Sequence, residues 1–125
     1  MVARVQNNGL ARITSLLSAA SWYLQWGTGS GAAATANVVT TTSTTEARTS
    51  ATTAQGTTTV TNDKLVLTGT ITAASTRAIT EVGAFDAAGS GSPPTGGNMD
   101  IYGDFSVINL GSGDSIAFTI NTTFS

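Results

Sequence analysis

The chain has 125 residues, 10% of them charged and 40% hydrophobic, a formal net charge of −2, and neither Cys nor His. That length supports one core rather than two, and the missing residue types exclude disulfides, thiolate metal sites, and the commonest general base and transition-metal ligand. The five basic residues, Arg4, Arg12, Arg48, Lys64 and Arg77, are scattered, which argues against a nucleic-acid surface, and no apolar run is long enough to span a bilayer.

Residues 7–20 predict one helix. Leu10, Ile13, Leu17 and Ala20 share a face at helical spacing, Leu16 lies beside them, and Asn8 is placed to cap the start. The stripe Leu10, Ile13, Leu16 and Leu17 serves either as core packing or as a docking surface for a neighbouring subunit. The run "ARITSLLSAA" is too interrupted by polar residues for a signal peptide, so a soluble product of a cytoplasm is expected. Residues 1–20 read as an arm and helix, and residues 21–125 as the main domain.

From Ser21 the period changes to two. In "SWYLQW", Trp22, Leu24 and Trp26 point to one face, so both indoles anchor a core. The Thr-rich stretch 32–61 predicts two strands of weakly determined register, because β-branched residues favour extended chain. "TTTVT", a turn at Asn62-Asp63 and "KLVLTGTITA" predict a hairpin in which Leu65, Leu67, Gly69 and Ile71 share a face. "RAITEVGAFDA" alternates imperfectly, which requires a strand buried on both faces or a bulge near Gly83. After the loop "AAGSGSPPTGGN" come two long strands. Met99, Ile101, Gly103, Phe105 and Val107 line one, Ile116, Phe118 and Ile120 the other, and "LGSGD" joins them as a hairpin loop. Phe85, Phe105 and Phe118 join Trp22 and Trp26 as candidate core anchors. One helix followed by several short strands predicts a mainly β chain, an antiparallel β-sandwich of jelly-roll or immunoglobulin-like type.

Chemistry is harder to find. "WGTGSG", residues 26–31, suggests a phosphate cradle, but it enters "AAATANVV" with no Gly-Lys-Ser/Thr ending and no ribose-binding acid at the right distance, so it reads as a corner. Glu81, Asp86, Asp100 and Asp104 flank the Gly/Pro-rich loop. Asp100 and Asp104 stand roughly 13 Å apart along an extended strand, too far to share one ion, and turn hydrogen bonds are the expected role of these acids. Nothing in the sequence selects a glycosidase pair from them. No residue is placed to activate one of the many Ser and Thr hydroxyls. The expectation is therefore a protein with no catalytic, cofactor-binding or metal-ligating residues.

The landmarks "NNGLARITSL", "WGTGSGAAAT", "EARTS", "TTTVTNDKLVLTGTITA", "ITEVGAFDAAG" and "GNMDIYGDFSVINLGSGDSIAFTI" follow one another from Asn7 to Phe124. In that order they resemble a group of small tailed-bacteriophage structural proteins that share a Trp-Gly-Thr-Gly turn, a Glu-x-Gly-x-Phe-Asp strand and a terminal Gly-Asp-Ser-Ile hairpin. The resemblance implies a virion protein made in the host bacterial cytoplasm. Its leading role is a non-enzymatic capsid cement or decoration protein on the head exterior, forming a dimer or trimer and partnered by the major capsid protein or another virion protein. A tail baseplate or fibre-associated adaptor is the alternative. A third reading, from the residues alone, is a carbohydrate-binding module that stacks sugars on Tyr23 or Tyr102. None of the three involves nucleic acid or a membrane.

Overall fold

A computed structural model describes residues 1–33, 37 and 40–125 of the chain. Its order is α1 (Asn7–Ser18), β1 (Tyr23–Gly27), β2 (Thr49–Ser50), β3 (Thr52–Gly56), β4 (Lys64–Thr72), β5 (Arg77–Phe85), β6 (Met99–Leu110) and β7 (Ser115–Thr123). The strands form two antiparallel sheets, β2-β1-β5-β6 and β3-β4-β7, stacked as a sandwich. The predicted mainly β chain with one N-terminal helix is what the structure has.

Alternation decides which side chains meet between the sheets. Leu24 pairs with Ala84 and Trp26 with Val82, so these four share the inner face of the larger sheet. Leu65, Leu67 and Ile71 face them from β4, and Phe118 from β7. Trp26 meets Phe118 edge to face with ring centroids 6.4 Å apart, and Phe105, half-buried, leans on Phe118 at 6.1 Å. Trp22 completes the core.

Phe85 is fully buried but lies elsewhere. It pairs with Tyr23, on the opposite face from Leu24 and Ala84, and is covered by the Arg48 guanidinium, 3.7 Å above its ring. The larger sheet is thus buried on both faces along β5. Its outer face is roofed by chain from residues 40–48 and from the 86–98 connection, with Arg48 Nη1 donating to Ala87 O and Gly96 O at 2.8 Å each. The imperfect alternation of β5 has both predicted causes, although the register shifts fall on either side of Gly83, between Ile79 and Glu81 and between Ala84 and Phe85.

Other expectations need correction. The helix starts with Gln6 as its N-cap and no side-chain cap bond, so Asn8 caps nothing. The hairpin into β4 begins from "TTAQG" rather than "TTTVT", because Asp63 folds residues 57–63 into a loop by accepting from the N–H groups of Thr58, Thr59 and Val60 at 2.7–3.1 Å. "LGSGD" is not a hairpin loop: β6 pairs with β5 and β7 with β4, so this turn carries the chain from one sheet to the other. Val107, expected inside, is exposed, since one residue of β5, Thr80, stands opposite the three residues 105–107 of β6 and the strand bulges there. Of the two strands expected within residues 32–61, short ones occur at β2 and β3, one in each sheet; residues 34–36, 38 and 39 of that stretch lie outside the described residues.

Candidate functional site

The helix was one candidate surface, and its packing sorts the four leucine and isoleucine positions. It lies against β3 and β4. Thr53 and Gln55 of β3 pair with Leu67 and Leu65, so they share the core-facing side of that sheet. From there Thr53 Oγ1 donates to Ser18 O at 2.6 Å, and Gln55 Nε2 to Ala11 O at 3.0 Å and Thr14 Oγ1 at 2.8 Å. The helix therefore closes an open flank of the sandwich. Leu10 is buried, Ile13 and Leu17 are half-buried, and Trp22 Nε1 donates to Leu17 O at 2.8 Å. Leu16 alone of the four is exposed, at 63%. In the arm before the helix, Met1, Val2 and Val5 are exposed as well.

The glycine loop holds an anion after all, and that anion belongs to the chain. Glu81 is 0% exposed. Its carboxylate accepts from Gly29 N at 3.4 Å, Thr41 N at 3.3 Å, Thr42 N at 2.9 Å, the Tyr102 hydroxyl at 2.7 Å and the Thr41 hydroxyl. Two residues on, Gly31 N donates to Asp104 Oδ2 at 3.0 Å. Burial pushes the Glu81 carboxyl up, but the donors led by Thr41 and Thr42 outweigh it and hold it below the usual carboxylate range. Gly27 is required for this approach. A Cβ there would collide with Glu81 Oε1 and Thr42 O.

Glu46 organises the opposite edge of the same roof. It accepts from Ala74 N at 3.0 Å, Arg77 Nε at 2.9 Å, Trp26 Nε1 at 3.4 Å and the Thr44 hydroxyl. Burial opposes ionisation, yet these donors, Thr44 first, bring its pKa down to about 2. Asp86 closes the 86–98 loop by accepting from Asn98 N at 2.7 Å and Asn98 Nδ2 at 3.0 Å. These acids are structural anchors; for Glu81 and Asp86 hydrogen bonding to loop chain is the role the sequence predicts, and for Glu46 it predicts none.

Asp100 differs. The shift between Ala84 and Phe85 makes it the extra residue of a bulge, so it escapes strict alternation and stands beside Ile101 at the end of the sandwich. Among the described residues its carboxylate has no hydrogen-bond donor and no cation. Burial and the nearby charge of Asp86 raise its pKa. Of the two tyrosines, Tyr23 is half-buried, and Tyr102 is half-buried with its hydroxyl committed to Glu81.

Sequence reasoning did not anticipate that Glu81 is fully buried, and it assigned Glu46 no role. Strand parity carried a signal for Glu81: it falls on the same face as Phe85 and opposite Gly27, the one residue of β1 small enough to admit it. Glu46 lies outside any strand, and no periodic pattern marks it. Among the described residues no group of three or more acidic side chains is placed to hold a metal ion, and no helix is long and apolar enough to cross a membrane. No protein-family model matches the chain, and comparison with curated proteins and with solved structures finds nothing similar.

Proposed function

We propose that the chain is a non-enzymatic structural protein of a tailed-bacteriophage virion, a cement or decoration protein that docks on the head exterior and bridges major capsid subunits. The observation that carries this reading is the position of its apolar surface. Of the exposed large apolar side chains, Met1, Val2, Val5 and Leu16 fall in the first sixteen residues, and Val107 and Ile108 lie on β6. An apolar arm on a small, weakly charged domain suits repeated docking on a lattice, where affinity comes from buried area. The order of sequence landmarks supports the phage setting. Seven strands split four and three fit the strand count of an immunoglobulin-like domain better than an eight-stranded jelly roll, with a strand order of its own.

The second reading, a tail baseplate or fibre adaptor, draws on the sheet edges. Among the described residues the long strands β6 and β7 each pair with another strand on one side only, although Met99 N at the start of β6 donates to Asn37 O, and sheet edges favour lateral pairing along an axis. Quantitative mass spectrometry of purified particles separates the two. A copy number near that of the major capsid protein is the cement outcome, a number far below it the tail outcome, and absence from particles overturns both.

A further inference from the structure

A pocket of about 390 Å³ opens between the C-terminal turn of α1, the start of β6 and the end of β7. That volume lies at the lower end of ordinary small-ligand sites, roughly 300–1,000 Å³. Its walls are Leu17, Trp22, Ile101 and Phe124, with Thr122 and Asp100 as its polar residues. The walls are held in place: the Trp22 indole is tied to Leu17 O, Phe124 N donates to Asp63 O at 2.8 Å, and Ile101 is registered against Ala84.

Four apolar walls and one carboxylate without a cation define a narrow class of occupant. A neutral apolar group would cover the walls but leave the Asp100 charge without a counter-charge. An anion would be repelled. A cation on an aliphatic stem satisfies both parts, with its methylenes on the walls and its charge at Asp100. Because Asp100 is exposed, the cation keeps part of its hydration, as a lysine does when its stem lies along apolar surface and its ammonium stays in water. The bulge that sets Asp100 next to Ile101 is a recognised device for aiming a side chain into a site.

We propose that this pocket receives a lysine side chain presented by a docking protein, with its ammonium on Asp100 and its stem against Leu17, Trp22, Ile101 and Phe124. The site does not depend on the virion reading, since any partner that displays such a lysine would use it.

The test is a titration of the full chain, followed by amide NMR, with Nα-acetyl-lysine methylamide, its neutral analogue Nα-acetyl-norleucine methylamide, which keeps four side-chain carbons and lacks the ammonium, and n-butylammonium. Saturable shifts at Leu17, Ile101 and Phe124 are expected with the capped lysine, with affinity at least about tenfold weaker for the norleucine compound and for the Asp100→Asn variant. Equal binding of lysine and norleucine, unchanged affinity in Asp100→Asn, or no saturable shift would each overturn the proposal. Binding of butylammonium without binding of the capped lysine would also overturn it, since the pocket would then admit free amines and exclude a side chain. The norleucine comparison uses the unmodified protein, so it holds whatever Asp100→Asn does to folding.

Discussion

Tyr102 on β6 reaches diagonally to β5 and donates its hydroxyl to Glu81 Oε2 at 2.7 Å. That contact closes the ring of donors around a carboxylate with no exposed surface. Glu81→Ala leaves the Gly29, Thr41 and Thr42 N–H groups facing a void, and an expected loss of about 3–5 kcal/mol follows from removing one side of a buried charged network. Tyr102→Phe removes a single donor and should cost about 1–2 kcal/mol. Urea unfolding of both variants measures the difference; equal losses would mean that the backbone donors contribute little.

Gly27→Ala approaches the same carboxylate from the other side. The added methyl meets Glu81 Oε1 and the Thr42 carbonyl, neither of which can retreat without breaking hydrogen bonds, so a loss of about 1–3 kcal/mol is expected. A variant as stable as the parent by thermal unfolding would show that the loop can shift.

Acid should weaken the fold, with a sign set by these carboxylates. Donors hold Glu46 down at about 2, below its ordinary 4.5, and hold Glu81, Asp63 and Asp86 below their ordinary values too. A depressed folded-state pKa means stability that is fully present above about pH 4.5 and is lost as pH falls toward 2. Asp100 acts in the opposite sense, favouring the folded state slightly at low pH because its folded pKa is raised. Unfolding midpoints measured from pH 7 to pH 2 should stay level and then fall below about pH 4.5, and Glu46→Gln should flatten the fall. A midpoint that rises on acidification would contradict this assignment.

Trp22 and Trp26 are both buried, at 4% and 1% exposure, and Trp→Ala at either should cost about 3–5 kcal/mol. They differ in what else is lost. Trp22→Ala releases Leu17 O and with it the last turn of α1, so limited proteolysis should cut near Ser18 in that variant and not in Trp26→Ala. Identical cleavage patterns would mean that the helix is held mainly by Thr53 and Gln55.

Truncation separates arm from helix. Removing residues 1–6 takes away exposed side chains and should change stability by less than about 0.5 kcal/mol while weakening capsid association. Removing residues 1–20 also takes Leu10, Thr14 and Leu17, and should destabilise the domain outright. Capsid association undiminished by the shorter truncation would move the docking surface off the arm.

Apolar alternation made β1, β4 and β7 legible, because each sets its apolar residues on the face toward the opposite sheet and so shows a period of two. The helix was legible from its stripe, although its most buried position is Thr14, whose hydroxyl donates to Asn62 O at 2.6 Å, a contact across 48 residues that no local pattern encodes. Sheet membership was hidden for the same reason. Whether "LGSGD" folds its flanking strands together or sends them to different sheets depends on what β4 and β5 offer as partners. The candidate site was the least legible part: Asp100 reads as an ordinary alternating strand residue, and only the register shift at Ala84 and Phe85 makes it the extra residue of a bulge.

The separation of β6 from β7 across the two sheets also governs how the molecule can form. β1 must find β5 and β4 must find β7, each across a long stretch of intervening chain, and pairings so distant in sequence place folding in the slow, millisecond-to-second regime. During synthesis the smaller sheet cannot close, nor can Phe118 reach Trp26, until residues 115–123 have left the ribosome. Until then β4 lacks its strand partner on that side, and the nascent chain carries that unpaired edge as an aggregation hazard.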